Sequence, residues 1–113
     1  ANSQNKVTEL PRVNPKYEIR IPKFLIELAF RQTKMLDQIT PIVLTYNEAP
    51  NLRRTLEAVR WARDIVVVDS FSEDTTLTIA AEFRQVRVFQ RHFDCHQDQW
   101  DFALRETGIT TDW

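Results

Sequence analysis

The sequence predicts an α/β fold, an open and mainly parallel sheet in βαβαβα order preceded by an N-terminal helix. Three observations carry this prediction. Residues 39–45 (ITPIVLT) and 64–69 (DIVVVD) are short apolar runs rich in β-branched side chains, as in strands covered on both faces. The segments after them place apolar residues at helical spacing instead. The links are short, and alternating elements with short links imply parallel strands joined by right-handed crossovers.

The elements follow in chain order. Residues 1–20 are polar and then punctuated by Pro11 and Pro15, so they are expected to be extended or disordered. Pro22 suits the first turn of a helix, which residues 23–36 supply. Phe24, Leu25, Leu28 and Met35 share one face, Ile26 and Phe30 broaden it, and Lys23, Arg31 and Lys34 surround it. Such a helix is expected to dock on the domain, the alternative being a peripheral contact of residues 23–36 with a membrane or a partner. Residues 1–38 thus form an extended segment plus an amphipathic helix, and residues 39–113 the domain proper. Within the domain, residues 51–62 carry Leu52, Thr55, Leu56 and Val59 at helical spacing, with Trp61 read as core. Ser70-x-x-Glu73, with Ser72 and Asp74 beside it, offers helix-start chemistry ahead of residues 75–83. Val86–Gln90 (VRVFQ) is a third, shorter strand. Residues 98–106 make a last helix with Gly108 at its C-cap, and residues 109–113 approach a fourth strand.

Composition excludes several classes. The chain has 113 residues, enough for one small domain. Gly108 is its one glycine, where average usage predicts about eight, so no glycine-rich phosphate loop or dinucleotide fingerprint is present. Cys95 stands alone, which removes internal disulfides and cysteine-based zinc frameworks. No apolar run reaches the ~20 residues of a membrane span. A formal charge of −1 gives no electrostatic case for nucleic-acid binding. That charge is uneven: residues 1–38 hold seven Lys/Arg against four Asp/Glu, and the remainder eight arginines against twelve acids.

In an open α/β sheet, ligands bind beyond the carboxyl ends of the strands. This directs attention to Thr45-Tyr46-Asn47-Glu48 after the first strand and to Asp69-Ser70 with residues 71–74 after the second. A nucleotide base could stack on Tyr46 while Asp69 accepts its N–H groups. Asn47, Ser70, Ser72 and Asp74 are equally ordinary turn and capping residues. His92 and His96, four apart in HFDCHQD, would suit zinc on a helix. The segment falls between a strand and a helix, however, and reads as a polar loop beside a cleft. No metal ligand is assigned. Gln99 and Trp100 are candidate cleft residues, and Trp100 is the more plausible sugar platform of the three tryptophans.

The stretch ITPIVLTYNEAPNLRRTLEAVRWARDIVVVDSFSEDTTLTIA resembles the opening of a family 2 glycosyltransferase with the GT-A fold. The matching pieces are the Thr45–Glu48 turn, a helix ending near Trp61, and the Val-Val-Asp-Ser-x-Ser-x-Asp-x-Thr loop of residues 67–76. The resemblance covers about residues 39–113 and looks closest to enzymes of bacterial lipopolysaccharide core and other envelope glycans. It implies the nucleotide-binding, Rossmann-like half of a GT-A domain, with Thr45, Tyr46, Asn47, Glu48, Asp69 and Ser70 around the base and ribose of a nucleotide-sugar, commonly UDP-linked. It further implies inverting transfer to a glycan or lipid-linked acceptor, a divalent cation (Mg²⁺ or Mn²⁺) held by an Asp-x-Asp motif, and a cytoplasmic enzyme, peripheral at the inner face of the membrane. Two departures stand out: Ser70 occupies a place often acidic, and Trp100 one often basic. The metal motif and general base are expected beyond residue 113, so the chain reads as truncated and inactive alone. The rival reading is a non-catalytic α/β nucleotide-binding or assembly module that self-associates through an exposed sheet edge.

Overall fold

The computed structural model describes residues 21–113; the extended segment expected over residues 1–20 lies outside them. The elements are α1 (Lys23–Leu36), β1 (Ile42–Thr45), α2 (Ala49–Ala58), β2 (Ile65–Asp69), α3 (Thr76–Ala80), β3 (Val86–Gln90) and α4 (His96–Arg105). The three strands form one parallel sheet in the order β1-β2-β3, with Thr45 opposite Asp69 and Asp69 opposite Gln90. The α/β class and the strand–helix alternation are as the sequence predicts, and the arrangement is that of a Rossmann-like GT-A half.

The alternation of side chains along β2 builds two cores. Ile65 and Val67 face α2 and α3, where they pack with Leu52, Leu56, Ala62 and Ala80. Val66 and Val68 face the other way, against Ala103 of α4, with Ile42, Leu44, Phe89 and Phe102 around them. Every residue of β2 is buried, so the strand has no polar face, and its continuous apolar run follows from that double covering. Each of its four aliphatic side chains contributes about 1.5–3 kcal/mol of burial. Helices cover both faces of β2, and all three parallel strands end on the same side.

Several boundaries shift for local reasons. Regular β1 begins only at Ile42, because Pro41 has no N–H and Gln38 and Thr40 pair instead with Trp113 (Trp113 N–H to Gln38 O, 3.0 Å; Thr40 N–H to Trp113 O, 2.7 Å). That pairing is the start of the expected fourth-strand approach. Helix α2 begins at Ala49, ahead of residue 51, because Pro50 is favourable in a first turn. It ends at Ala58, and a turn that leaves Trp61 44% exposed leads into β2, so Trp61 is not the core residue the sequence suggested. Helix α3 has five residues and stops short of Phe83. Gly108 adopts φ +70° two residues beyond the α4 cap at Glu106, while the Thr107 hydroxyl donates to Ala103 O.

Helix α1 spans the predicted residues but is not docked. None of its residues is buried, and Phe24, Phe30 and Met35 are 61%, 72% and 67% exposed. Its amphipathic pattern therefore finds no apolar partner among the described residues. No helix among those residues is long and apolar enough to cross a membrane.

Candidate functional site

The carboxyl ends of the strands meet around one buried carboxylate. Thr45 ends β1 and Asp69 ends β2, and their register places them side by side, so the Thr45 hydroxyl donates to Asp69 Oδ1 at 2.7 Å. The chain after Asp69 turns back on itself, bringing the Ser72 N–H to Oδ2 at 2.9 Å and the Ser72 hydroxyl to Oδ1. Gln90, at the end of β3, adds a longer bond from Nε2 to Oδ2. Burial opposes ionisation of Asp69, but the bonds from Ser72, Thr45 and Gln90 outweigh it and hold its carboxyl below the ordinary range. Asp69 is fully buried, with both oxygens committed within the protein. It fastens three strand ends together.

The two loops are then tied to each other through side chains. Asn47 N–H donates to Ser72 Oγ, and Asn47 Oδ1 accepts the Glu73 N–H, both at 2.8 Å. Glu48 N–H reaches Thr76 Oγ1 and Ala49 N–H reaches Asp74 Oδ2, which caps the start of α2 from the neighbouring loop. Thr76 donates to Asp74 through its side chain and its N–H, and these bonds hold the Asp74 carboxyl low. Asn47 (φ 51°) and Phe71 (φ 59°) take left-handed backbone conformations without being glycine. Asn tolerates that region; Phe is strained there, and its ring stacks on His92 with centroids 4.2 Å apart. In a chain with one glycine, these two residues make the sharp turns.

Beside this framework lies a cleft of about 560 Å³, lined by Leu44, Thr45, Tyr46, Ser70, His92, Phe93, His96 and Gln99. Of the residues expected at the site, Thr45, Tyr46, Ser70 and Gln99 line it. Asn47, Glu48 and Asp69 stand behind it, bonded to the opposite loop. Trp100, next to Gln99 on α4, is 42% exposed and does not line it. Successive helical residues point about 100° apart, and Gln99 takes the inward direction.

Leu44, His92, Phe93 and His96 complete the wall and were not assigned to it from the sequence. The signal for His92, Phe93 and His96 is the crowded HFDCHQD segment, which combines imidazoles with an aromatic ring. His92 lies in the β3–α4 loop and His96 opens α4, so the two are not on one helical face. His92 stacks on Phe71 and His96 meets the Phe93 ring edge-on at 5.1 Å. Among the described residues no three His, Cys, Asp or Glu side chains converge to hold a metal ion.

The elements that build the cleft lie within one matched segment. Residues 40–107 match the protein-family model described as "Glycosyl transferase family 2". No curated protein and no solved structure matches the chain.

Proposed function

This chain belongs to glycosyl transferase family 2, and from that premise we propose that its strand-end cleft holds the nucleoside part of a nucleotide-sugar donor, UDP-linked by the family resemblance. One observation carries the reading: within the matched segment, an aromatic and hydroxyl-lined cleft opens beyond the carboxyl ends of parallel strands. Tyr46 and Phe93 offer faces for a flat ring, while Ser70 supplies a hydroxyl at the floor. The reaction served is inverting. The acceptor hydroxyl oxygen bonds to the anomeric carbon as the bond to the diphosphate oxygen breaks; the hydroxyl proton passes to a carboxylate and the nucleoside diphosphate leaves. The acceptor class is a glycan or lipid-linked glycan of the cell envelope, and the setting the cytoplasmic face of a membrane.

Titration calorimetry with UDP tests this reading. Saturable binding to the 113-residue chain, weakened several-fold by Tyr46→Ala, is the expected result. Absence of any saturable heat overturns it.

The exposure of α1 supports a membrane contact. Its apolar side chains are uncovered, and Lys23, Arg31 and Lys34 outnumber Glu27 around them, the pattern of a helix lying in the plane of an anionic surface. Co-sedimentation with vesicles containing phosphatidylglycerol is expected, and loss of binding in Phe24→Glu/Phe30→Glu identifies the helix. A second reading, an assembly module, draws on the β3 edge. Val86–Gln90 pairs only with β2 among the described residues, so its outer edge is open to another strand. A concentration-independent monomer in size-exclusion chromatography removes that reading.

A further inference from the structure

The cleft contains a hydroxyl whose direction of hydrogen bonding is set from outside it. Gln99 is 1% exposed, so its amide has no recourse to water. Arg91 Nη1 donates to Gln99 Oε1 at 2.8 Å, and arginine is a donor only. The oxygen end of the amide must therefore face Arg91. Gln99 Nε2 then donates to Ser70 Oγ at 3.1 Å and to Arg91 O at 3.3 Å, using both of its hydrogens. The reversed amide would set N–H against guanidinium and oxygen against carbonyl, two buried mismatches at once. Arg91 is itself held in place: its N–H donates to Asp69 O at 3.0 Å and its Nη2 to Asp94 at 3.1 Å.

The relay ends on Ser70, which accepts a hydrogen bond from Gln99 and so has its own hydroxyl hydrogen to give. The neighbouring hydroxyls differ. Thr45 and Ser72 both direct their hydrogens to Asp69 and have none left for the cleft. Ser70 has no acceptor for its hydrogen among the described residues, and it lines the cleft.

We propose that Ser70 is a specificity-determining hydrogen-bond donor whose polarity Arg91 imposes through Gln99, so that the cleft selects a keto-bearing pyrimidine over an amino-bearing one. A ring carbonyl accepts the Ser70 hydrogen; an exocyclic amino group at the same point opposes donor to donor. Gln99 and Arg91 act through Ser70 and are positioning residues. The inference rests on the nucleotide-cleft reading above and adds the identity of the ring edge that is read.

The test compares UDP with CDP by titration calorimetry on the full 113-residue chain and two variants. The wild-type chain is expected to favour UDP by roughly three- to tenfold, the worth of one neutral hydrogen bond. Ser70→Ala is expected to bring the ratio close to one. Gln99→Glu turns the relay round: the carboxylate accepts from Arg91 and from the Ser70 hydroxyl, at the cost in stability of one oxygen facing Arg91 O; only oxygen lone pairs then face the cleft, and the ratio inverts toward CDP. A ratio rather than an affinity is the readout because added charge or a small loss of stability acts on both nucleotides alike. Should Gln99→Glu fail to fold, Ser70→Ala decides alone, since it removes a half-exposed hydroxyl. A wild-type chain indifferent to the two nucleotides, or Ser70→Ala with the wild-type ratio, overturns the relay while the cleft reading stands. No binding of either nucleotide overturns both.

Discussion

Replacing Asp69 with alanine is expected to remove about 3 kcal/mol of stability. The carboxylate accepts four hydrogen bonds, from the Thr45 hydroxyl, the Ser72 hydroxyl, the Ser72 N–H and the Gln90 amide. Thr45 is only 3% exposed, so its stranded hydroxyl costs about 1–3 kcal/mol. The two bonds from Ser72 are charge-assisted, each about 1.5–3 kcal/mol, although Ser72 is half-buried and recovers part of this from water. Against these losses stands the desolvation penalty of a buried carboxylate, several kcal/mol, which the alanine variant no longer carries. The net of about 3 kcal/mol is a large share of the roughly 5–15 kcal/mol that holds a small domain together. Asp69→Asn keeps the shape and an oxygen for two of the four donors, and is expected to lose about half as much.

The assay is urea denaturation followed by tryptophan fluorescence at pH 7, 5 and 3.5. The Asp69 carboxyl lies below its ordinary value in the folded state, so the unfolded chain binds its proton first on acidification. Its contribution is fully present above the unfolded value near pH ~4 and is lost as pH falls through the lower folded value. The gap between wild type and Asp69→Ala should accordingly stay constant from pH 7 to 5 and narrow at 3.5. A loss below about 1 kcal/mol at pH 7, or a gap that widens in acid, would refute the assignment of Asp69 as the fastening group.

Three further expectations concern the framework. Leu56→Ala, at a fully buried position between α2 and the sheet, should cost about 2–5 kcal/mol in the same denaturation assay. Asn47→Ala should destabilise more than Asn47→Gly, because both lose the bond to the Glu73 N–H but only glycine relieves φ 51°; equal losses in thermal melts would show that the backbone conformation contributes nothing. Gly108→Ala should cost about 1–2 kcal/mol from φ +70° alone, since the nearest atom to an added Cβ is Arg87 Nη1 at 3.8 Å, an ordinary contact; a larger loss would mean a steric conflict instead.

How much of this was legible in the sequence depends on what each residue answers to. Val86–Gln90 and Lys23–Leu36 are bounded as the pattern predicts, because strand and helix periodicities are local properties. Residues 39–40 were read into the first strand since Ile and Thr favour it, yet Pro41 interrupts the regular ladder and diverts them to Trp113, a partner more than seventy residues away. The undocked helix has the same origin: amphipathicity shows that α1 has an apolar face, but not where another surface lies to cover it. At the site, the strand-end rule located both loops from the sequence. Asp69 was read as facing a base because an acid after a strand is a natural acceptor; that its own neighbours satisfy every lone pair depends on how the loop folds back through Ser72. The contributions of Phe93 and His92 to the cleft likewise depend on the path of the β3–α4 loop, which no spacing encodes.

The left-handed Asn47 and Phe71, with the cross-loop bonds around them, bear on the timing of recognition. Ligand loops are commonly the least stable parts of a fold and become ordered as the ligand arrives, which subtracts from its affinity. Here the turns are made by residues with far fewer backbone states than glycine, and the amides of residues 47–49 and 72–74 are largely bonded to side chains of the facing loop or to Asp69. Most of the ordering cost is met when the chain folds. A ligand entering the cleft encounters a wall already in its final shape, so its residence time is governed by the contacts it makes and little by the loops closing around it.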